Sequence, residues 1–186
     1  MALYTTGLRR AELARLKITD IDSARNIIHV EGGTRRVEIA GISAIANGFW
    51  MNQVARNLTD ELDGLLKGKR YLIHDRDPLF TAEFLSTLAE VGTKSVKLPP
   101  RSPNLNSYAE RFVRSMKESC LDRMILFGDA LRNAVREFVA HYHGERNHQG
   151  IGNVLIMPDP GLANRDEPIR RRSRLGGMLN YYHGAA

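Results

Sequence analysis

The sequence predicts an α/β fold, and three observations carry that prediction. Alternating hydrophobic residues flank Gly32-Gly33 over residues 25–31 and 34–43, the pattern of paired strands with one buried face. Short apolar runs at Tyr71-Leu72-Ile73 and over residues 93–98 each stop at turn chemistry, Pro78 and Pro99-Pro100. Between and after them, apolar residues recur at helical period. The order reads strand, strand, strand, helix, strand, helix, strand, helix.

Each element has a local cause. In the first stretch Leu8, Leu13 and Leu16, with Ala11 and Ala14, predict a short amphipathic helix ended by Thr19-Asp20. Gly32-Gly33 predicts a two-residue hairpin turn, because both central positions of such a turn often need positive φ. Ile28 and Val30 then alternate against Val37 and Ile39 on the pair's buried face. Val54, Leu58, Leu62 and Leu65 make one stripe of a helix over residues 50–66, and Phe84, Leu85, Leu88 and Val91 one over 81–91. Ser107 with Glu110 three residues later has the spacing of a capping box. It opens a helix over residues 107–117 whose apolar positions are Ala109, Phe112, Val113 and Met116. Leu131, Val135, Phe138 and Val139 predict a last helix over residues 129–143. Met157-Pro158-Asp159-Pro160-Gly161 is a turn cluster, followed by a basic run of Arg170, Arg171, Arg172 and Arg174 that suits either phosphates or solvent.

Composition sets the bounds. A chain of 186 residues is long enough for one domain with a sizeable core. A formal charge of +6 and a pI near 9.7 favour a polyanionic partner. The single cysteine, Cys120, excludes an internal disulfide and a cysteine-rich zinc site, and its place in an apolar stripe makes it a small core residue. No long apolar run or signal peptide is visible, so a soluble, cytoplasmic chain is expected.

Two acids stand where chemistry is plausible. Asp75 follows an apolar strand, with Asp77 close behind, and Glu110 lies in the first turn of a helix. Carboxylates so placed can converge on one hard divalent cation, which takes oxygen ligands. The same residues serve as ordinary turn and cap groups in many proteins. The letters around them are more specific. HDRDPLF and PPRSPNLNSYAERFVRSMKESC resemble the catalytic core of the retroviral-integrase-like DDE transposases and integrases. Asp75 is followed five residues later by Phe80, and a Pro- and Asn-bearing loop leads to Ala109-Glu110-Arg111-Phe112. The resemblance runs over residues 34–186, with 34–50 similar to the family's second and third strands.

That resemblance implies an RNase H-like fold, a mixed five-stranded sheet flanked by helices, over residues 25–153, with 154–186 as a basic C-terminal tail. It implies metal-dependent phosphodiester cleavage and strand transfer on DNA, with three carboxylates holding two Mg²⁺ or Mn²⁺ ions, and a homo-oligomer at work. Asp75 and Glu110 match two of the three acids. Glu31 falls where the family carries its first Asp; one extra methylene displaces its oxygens by about 1–1.5 Å, and errors on the order of 1 Å can cost about a hundredfold in rate. Arg101, Asn104, Asn106, Arg114 and Lys117 are the expected DNA contacts. Glu110, Arg114 and Lys117 share one helix face at i, i+4 and i+7. Impaired integration or transposition chemistry is the expectation, with a non-catalytic DNA-binding or self-associating transposase remnant as the alternative.

Residues 1–33 resemble another family. TTGLRRAELARLKITDID is similar to the segment of tyrosine recombinases that carries their first active-site arginine, here Arg9. Residues 1–24 would then be a helical segment of foreign origin and the chain a chimera. A recombinase would also use a His-x-x-Arg motif and a nucleophilic tyrosine, which His143, Arg146 and Tyr181 or Tyr182 superficially supply. Residues 34–142 do not resemble that family's catalytic domain.

Overall fold

The computed structural model describes residues 2–5, 27–30, 36–43, 45–100, 107–126, 128–159 and 168–184. The chain divides into two compact units, residues 1–111 and 112–186. Its secondary structure is mixed α/β.

In the first unit β1 (Ala2–Thr5), β2 (Ile27–Val30) and β3 (Val37–Ile39) form an antiparallel sheet. Strands β4 (Tyr71–His74) and β5 (Lys94–Lys97) pair in parallel, Tyr71 opposite Lys94 and His74 opposite Lys97. β1 lies beside β4, so the strands follow in the spatial order β3, β2, β1, β4, β5. The expected five-stranded sheet is therefore two ladders, of three strands and of two. With four residues each, β1 and β4 run side by side without a shared ladder. Residues 2–5 are strand rather than the start of a helical segment. Residues 6–26, which include Arg9 and the expected helix, lie outside the described residues.

The β2–β3 register also departs from expectation. A two-residue turn at Gly32-Gly33 would set Ile28 opposite Val37, whereas Ile28 faces Ile39 and Val30 faces Val37. An offset of two preserves the face of every side chain, which is why the alternation still reads correctly.

Helix α1 (Gly48–Leu58) starts on Asn47, whose side chain accepts from the Trp50 N–H. It ends eight residues before the predicted stop at Leu66. The Asp60 carboxylate accepts the Leu62 and Asp63 N–H groups in place of helical carbonyls, and the Thr59 hydroxyl donates back to Ala55. Leu62 is 91% exposed as a result, and Leu66 closes the core by donating its N–H to the Leu58 carbonyl. Helix α2 (Ala82–Glu90) forms where predicted, with Thr81 capping the Phe84 N–H and Phe84 and Leu88 fully buried, but Val91 of the expected stripe is its C-cap and 48% exposed. Met51, Val54, Leu58, Leu66, Leu72, Leu79, Phe80, Phe84 and Leu88 make one core.

Helix α3 (Ser107–Ser119) begins in the first unit and continues into the second. Ser107 is its first helical residue rather than the residue before it. Ala109, Phe112, Val113 and Met116 are buried, as their period predicts. Within the second unit Phe112 meets Phe138 and Tyr142 of α4 (Asp129–Gly144) edge to face, with centroids 5.8 and 4.9 Å apart. Cys120 is fully buried there, and burial pushes its thiol up to about 11. At pH 8 only about a thousandth of it is thiolate, so an aromatic disulfide reagent is expected to modify Cys120 at least a hundredfold faster in denaturant than in the folded chain. Equal rates would contradict its burial.

The expected basic tail contains a β-hairpin, β6 (Ile169–Arg174) and β7 (Leu179–Gly184). Its turn runs through Leu175, Gly176 and Gly177, all at positive φ (51°, 64° and 93°). Only Leu175 bears the steric cost of that geometry. The hairpin docks on α4 through Arg174, which binds both oxygens of Glu145 at 2.7–3.0 Å and reaches Glu137 at 2.8 Å. Arg172 and His141 also contact Glu145, at 3.3 and 3.1 Å. Burial alone would raise the Glu145 pKa, but hydrogen bonds from Arg174, His141 and Arg172 outweigh it and hold it down at about 2.

Candidate active site

Asp75 stands at the carboxyl end of β4, half-buried. In open α/β sheets, ligands collect at the carboxyl ends of parallel strands. One oxygen of Asp75 accepts the Asp77 N–H at 3.1 Å, and Asp77 in turn accepts the Leu79 N–H at 2.8 Å. Two successive Asx turns thus carry the chain from the strand to the cap of α2, fixing the Asp75 side chain relative to its backbone. Asp77 serves as the turn former.

Behind Asp75 lies a polar contact that motif reading missed. His74 is buried, with Nδ1 2.7 Å from the Asp75 carbonyl oxygen and Nε2 2.7 Å from the Ser95 hydroxyl. The carbonyl can only accept, so Nδ1 carries the proton and Nε2 accepts from Ser95. Burial lowers the His74 pKa and keeps the ring neutral, against the opposing pull of the Asp75 hydrogen bond. Phe80 covers the imidazole at 4.1 Å and meets Phe84 edge to face at 5.3 Å. The aromatic residue five positions after Asp75 is therefore a core group that seals the back of the strand end. A signal for His74 was available, because period two places it on the buried face of Leu72. Arg76 ties the same loop to β5 by donating to the Leu98 carbonyl at 3.1 Å.

Glu110 is exposed in the first turn of α3 and makes no hydrogen bond or ion pair among the described residues. It does not pair with Arg114, four residues on. Arg114 is exposed and Lys117 half-exposed on the same helix. Among the described residues no group of three His, Cys, Asp or Glu side chains is assembled to hold a metal. Asp75 and Glu110 offer hard oxygen donors of the kind a divalent cation takes. Glu31, Arg101, Asn104 and Asn106 lie outside the described residues.

The strand arrangement bears on the first acid. The strand that runs into residue 31 is β2, and β1 stands between it and β4. β2 is therefore not the direct neighbour of β4. β1, the direct neighbour of β4, has the sequence Ala-Leu-Tyr-Thr and carries no carboxylate.

The recombinase motif is accounted for by packing. His143 is buried in α4, and the Arg146 guanidinium lies over the Tyr142 ring at 5.5 Å. His148 Nε2 donates to the Tyr142 carbonyl at 2.7 Å, closing the loop after α4. Tyr181 and Tyr182 occupy β7.

Comparison with known proteins gives one family match. A model described as "Integrase core domain" matches residues 92–155, about a third of the chain, which hold β5, α3 and α4. No curated protein matches. Among solved structures, the chain is similar to the catalytic core domain of BIV integrase at 17% identity and a TM-score of 0.49, covering 68% of this chain and 80% of that one. It is also similar to a chain of the simian T-cell lymphotropic virus intasome in complex with PP2A regulatory subunit B56 gamma. There the identity is 12% and the TM-score 0.49, over 87% of this chain and 60% of that one. No helix among the described residues is long and apolar enough to cross a membrane. Residues 1–33 lie outside the matched region.

Proposed function

We propose that the chain is an RNase H-like DDE integrase or transposase core acting on DNA, with its chemistry impaired at the first carboxylate. The observation that carries this is the integrase-core match over residues 92–155, which contains Glu110, Arg114 and Lys117 on one helix. Asp75, at the end of β4, would be the second acid. Bound Mg²⁺ or Mn²⁺ would supply charge neutralisation on the attacking and leaving oxygens of a phosphodiester. Asp75 and Glu110 would hold the ions, and Arg114 and Lys117, with Arg101, Asn104 and Asn106, would position the phosphates. Self-association on paired DNA ends belongs to the same reading.

Glu31 is the weak member. Its side chain is longer than Asp, and the strand that leads to it is not the neighbour of β4. The latter observation favours a second reading, a DNA-binding or self-associating transposase remnant without turnover. A labelled duplex incubated with Mg²⁺ or Mn²⁺ separates the two. Little nicking is expected from the native chain, about a tenfold gain from Glu31→Asp, and none from Asp75→Ala. Equal rates in all three would remove the carboxylate assignment, and no gain with Glu31→Asp would leave the remnant. No observation favours the recombinase, whose mark would be a metal-free covalent adduct lost with Tyr181→Phe or Tyr182→Phe.

A further inference from the structure

The C-terminal hairpin has two unlike faces. Arg172, Arg174, Leu179 and Tyr181 alternate onto the face that meets α4, where Leu179 is buried and Arg172 and Arg174 are paired with Glu145. The other face carries Arg171, Ser173, Asn180 and Tyr182, all exposed, and no acid. Arg171 sits directly opposite Tyr182, whose ring is 63% exposed.

This outward face is preorganised. The Arg171 Nε donates to the Ser173 hydroxyl at 2.9 Å, Ser173 to the Asn180 side-chain oxygen at 3.1 Å, and the Asn180 amide to the Gly177 carbonyl at 2.8 Å. The guanidinium is thereby laid along the ribbon toward Gly177, and a Cβ at that position would come within 3.5 Å of its Nη2. Among the described residues Arg171 is not paired with a carboxylate. Two of the four arginines in β6 are thus neutralised from within, and Arg171 keeps its charge on the outward face, whereas Arg170, opposite His183, alternates onto the face of Arg172 and Arg174.

We infer that this face is a contact surface for single-stranded nucleic acid, with Arg171 on a phosphate and Tyr182 under a base. A fixed cation and a bare aromatic ring on one face are the pairing that sequence-tolerant single-strand binding uses, backbone neutralisation plus stacking. A second copy of this chain suits the face less well, since its central side chains are polar or charged. The inference shares with the proposed function only the class of partner. It does not need the carboxylates.

Binding of a fluorescent oligothymidine to the full chain in EDTA tests it, across a salt series. Arg171→Gln is expected to weaken binding about threefold at low salt and to reduce the slope of log K against log salt by about 0.7, one single-strand phosphate contact. Tyr182→Ser is expected to weaken single-strand binding about five- to 150-fold with the slope unchanged, and duplex binding far less. Because EDTA removes any divalent ion, the readout does not depend on the proposed metal site. All these positions are exposed or half-exposed, and circular dichroism with urea unfolding checks that each variant folds. Unchanged affinity and slope in the arginine variant, or unchanged single-strand affinity in Tyr182→Ser, overturns the proposal.

Discussion

Asp75→Asn, placed in the Glu31→Asp background, is expected to lower metal-dependent nicking about a thousandfold or more, equivalent to about 4 kcal/mol of barrier. Asparagine keeps the side-chain oxygen that accepts the Asp77 N–H, so the turn survives and only charge and one oxygen donor are lost. Asp77→Asn is the matched control. It likewise retains an acceptor for the Leu79 N–H, and its nicking rate is expected to fall less than tenfold. Calorimetric Mn²⁺ binding should follow the same order, weakened at least tenfold by Asp75→Asn and little by Asp77→Asn. Equal losses in the two variants would show that the loop as a whole matters and that Asp75 holds no ion.

The parts of this molecule legible in the sequence were those whose cause is local. Helix α2 could be read because Thr81 caps it and Phe84 and Leu88 repeat at its period. Helix α4 was legible through Leu131, Val135 and Phe138. The apolar stripe predicts too long an α1 because Leu62 continues it, while the Asp60 side chain competes for the N–H groups beyond Leu58. The sheet was harder. Four residues of β1 hold too little pattern to announce a strand, and its place between β2 and β4 is set by long-range pairing. The hairpin was hidden for another reason. A strand's inward face is expected to be apolar, but β6 turns Arg172 and Arg174 inward, onto an acid about thirty residues upstream. For the site, Asp75 and Glu110 stood out by their neighbours. His74 and Ser95 did not, because their contact exists only once β4 and β5 lie side by side.

That inward-facing acid makes the second large prediction. Glu145→Gln is expected to destabilise the second unit by about 3–5 kcal/mol, because Arg174 keeps its charge at a site only 20% exposed and loses its main acceptor. Glu137, at 2.8 Å, compensates in part. Arg174→Met should cost a similar amount, since it leaves a carboxylate that is 2% exposed with weaker partners. The double variant Glu145→Leu/Arg174→Met should recover at least half of either loss. Acid should act as the mutation does. The Glu145 pKa is held at about 2 against an ordinary 4.5, so its contribution is complete above about pH 4.5 and is lost as pH falls toward 2. The shift corresponds to about 3 kcal/mol, and Glu145→Gln should lack this acid-dependent loss. Urea unfolding from pH 2 to 7, read with amide exchange in β6 and β7, measures both. A single-variant loss below about 1 kcal/mol, or an acid limb that persists in Glu145→Gln, would mean that apolar packing around Leu179, rather than this ion pair, holds the hairpin to α4.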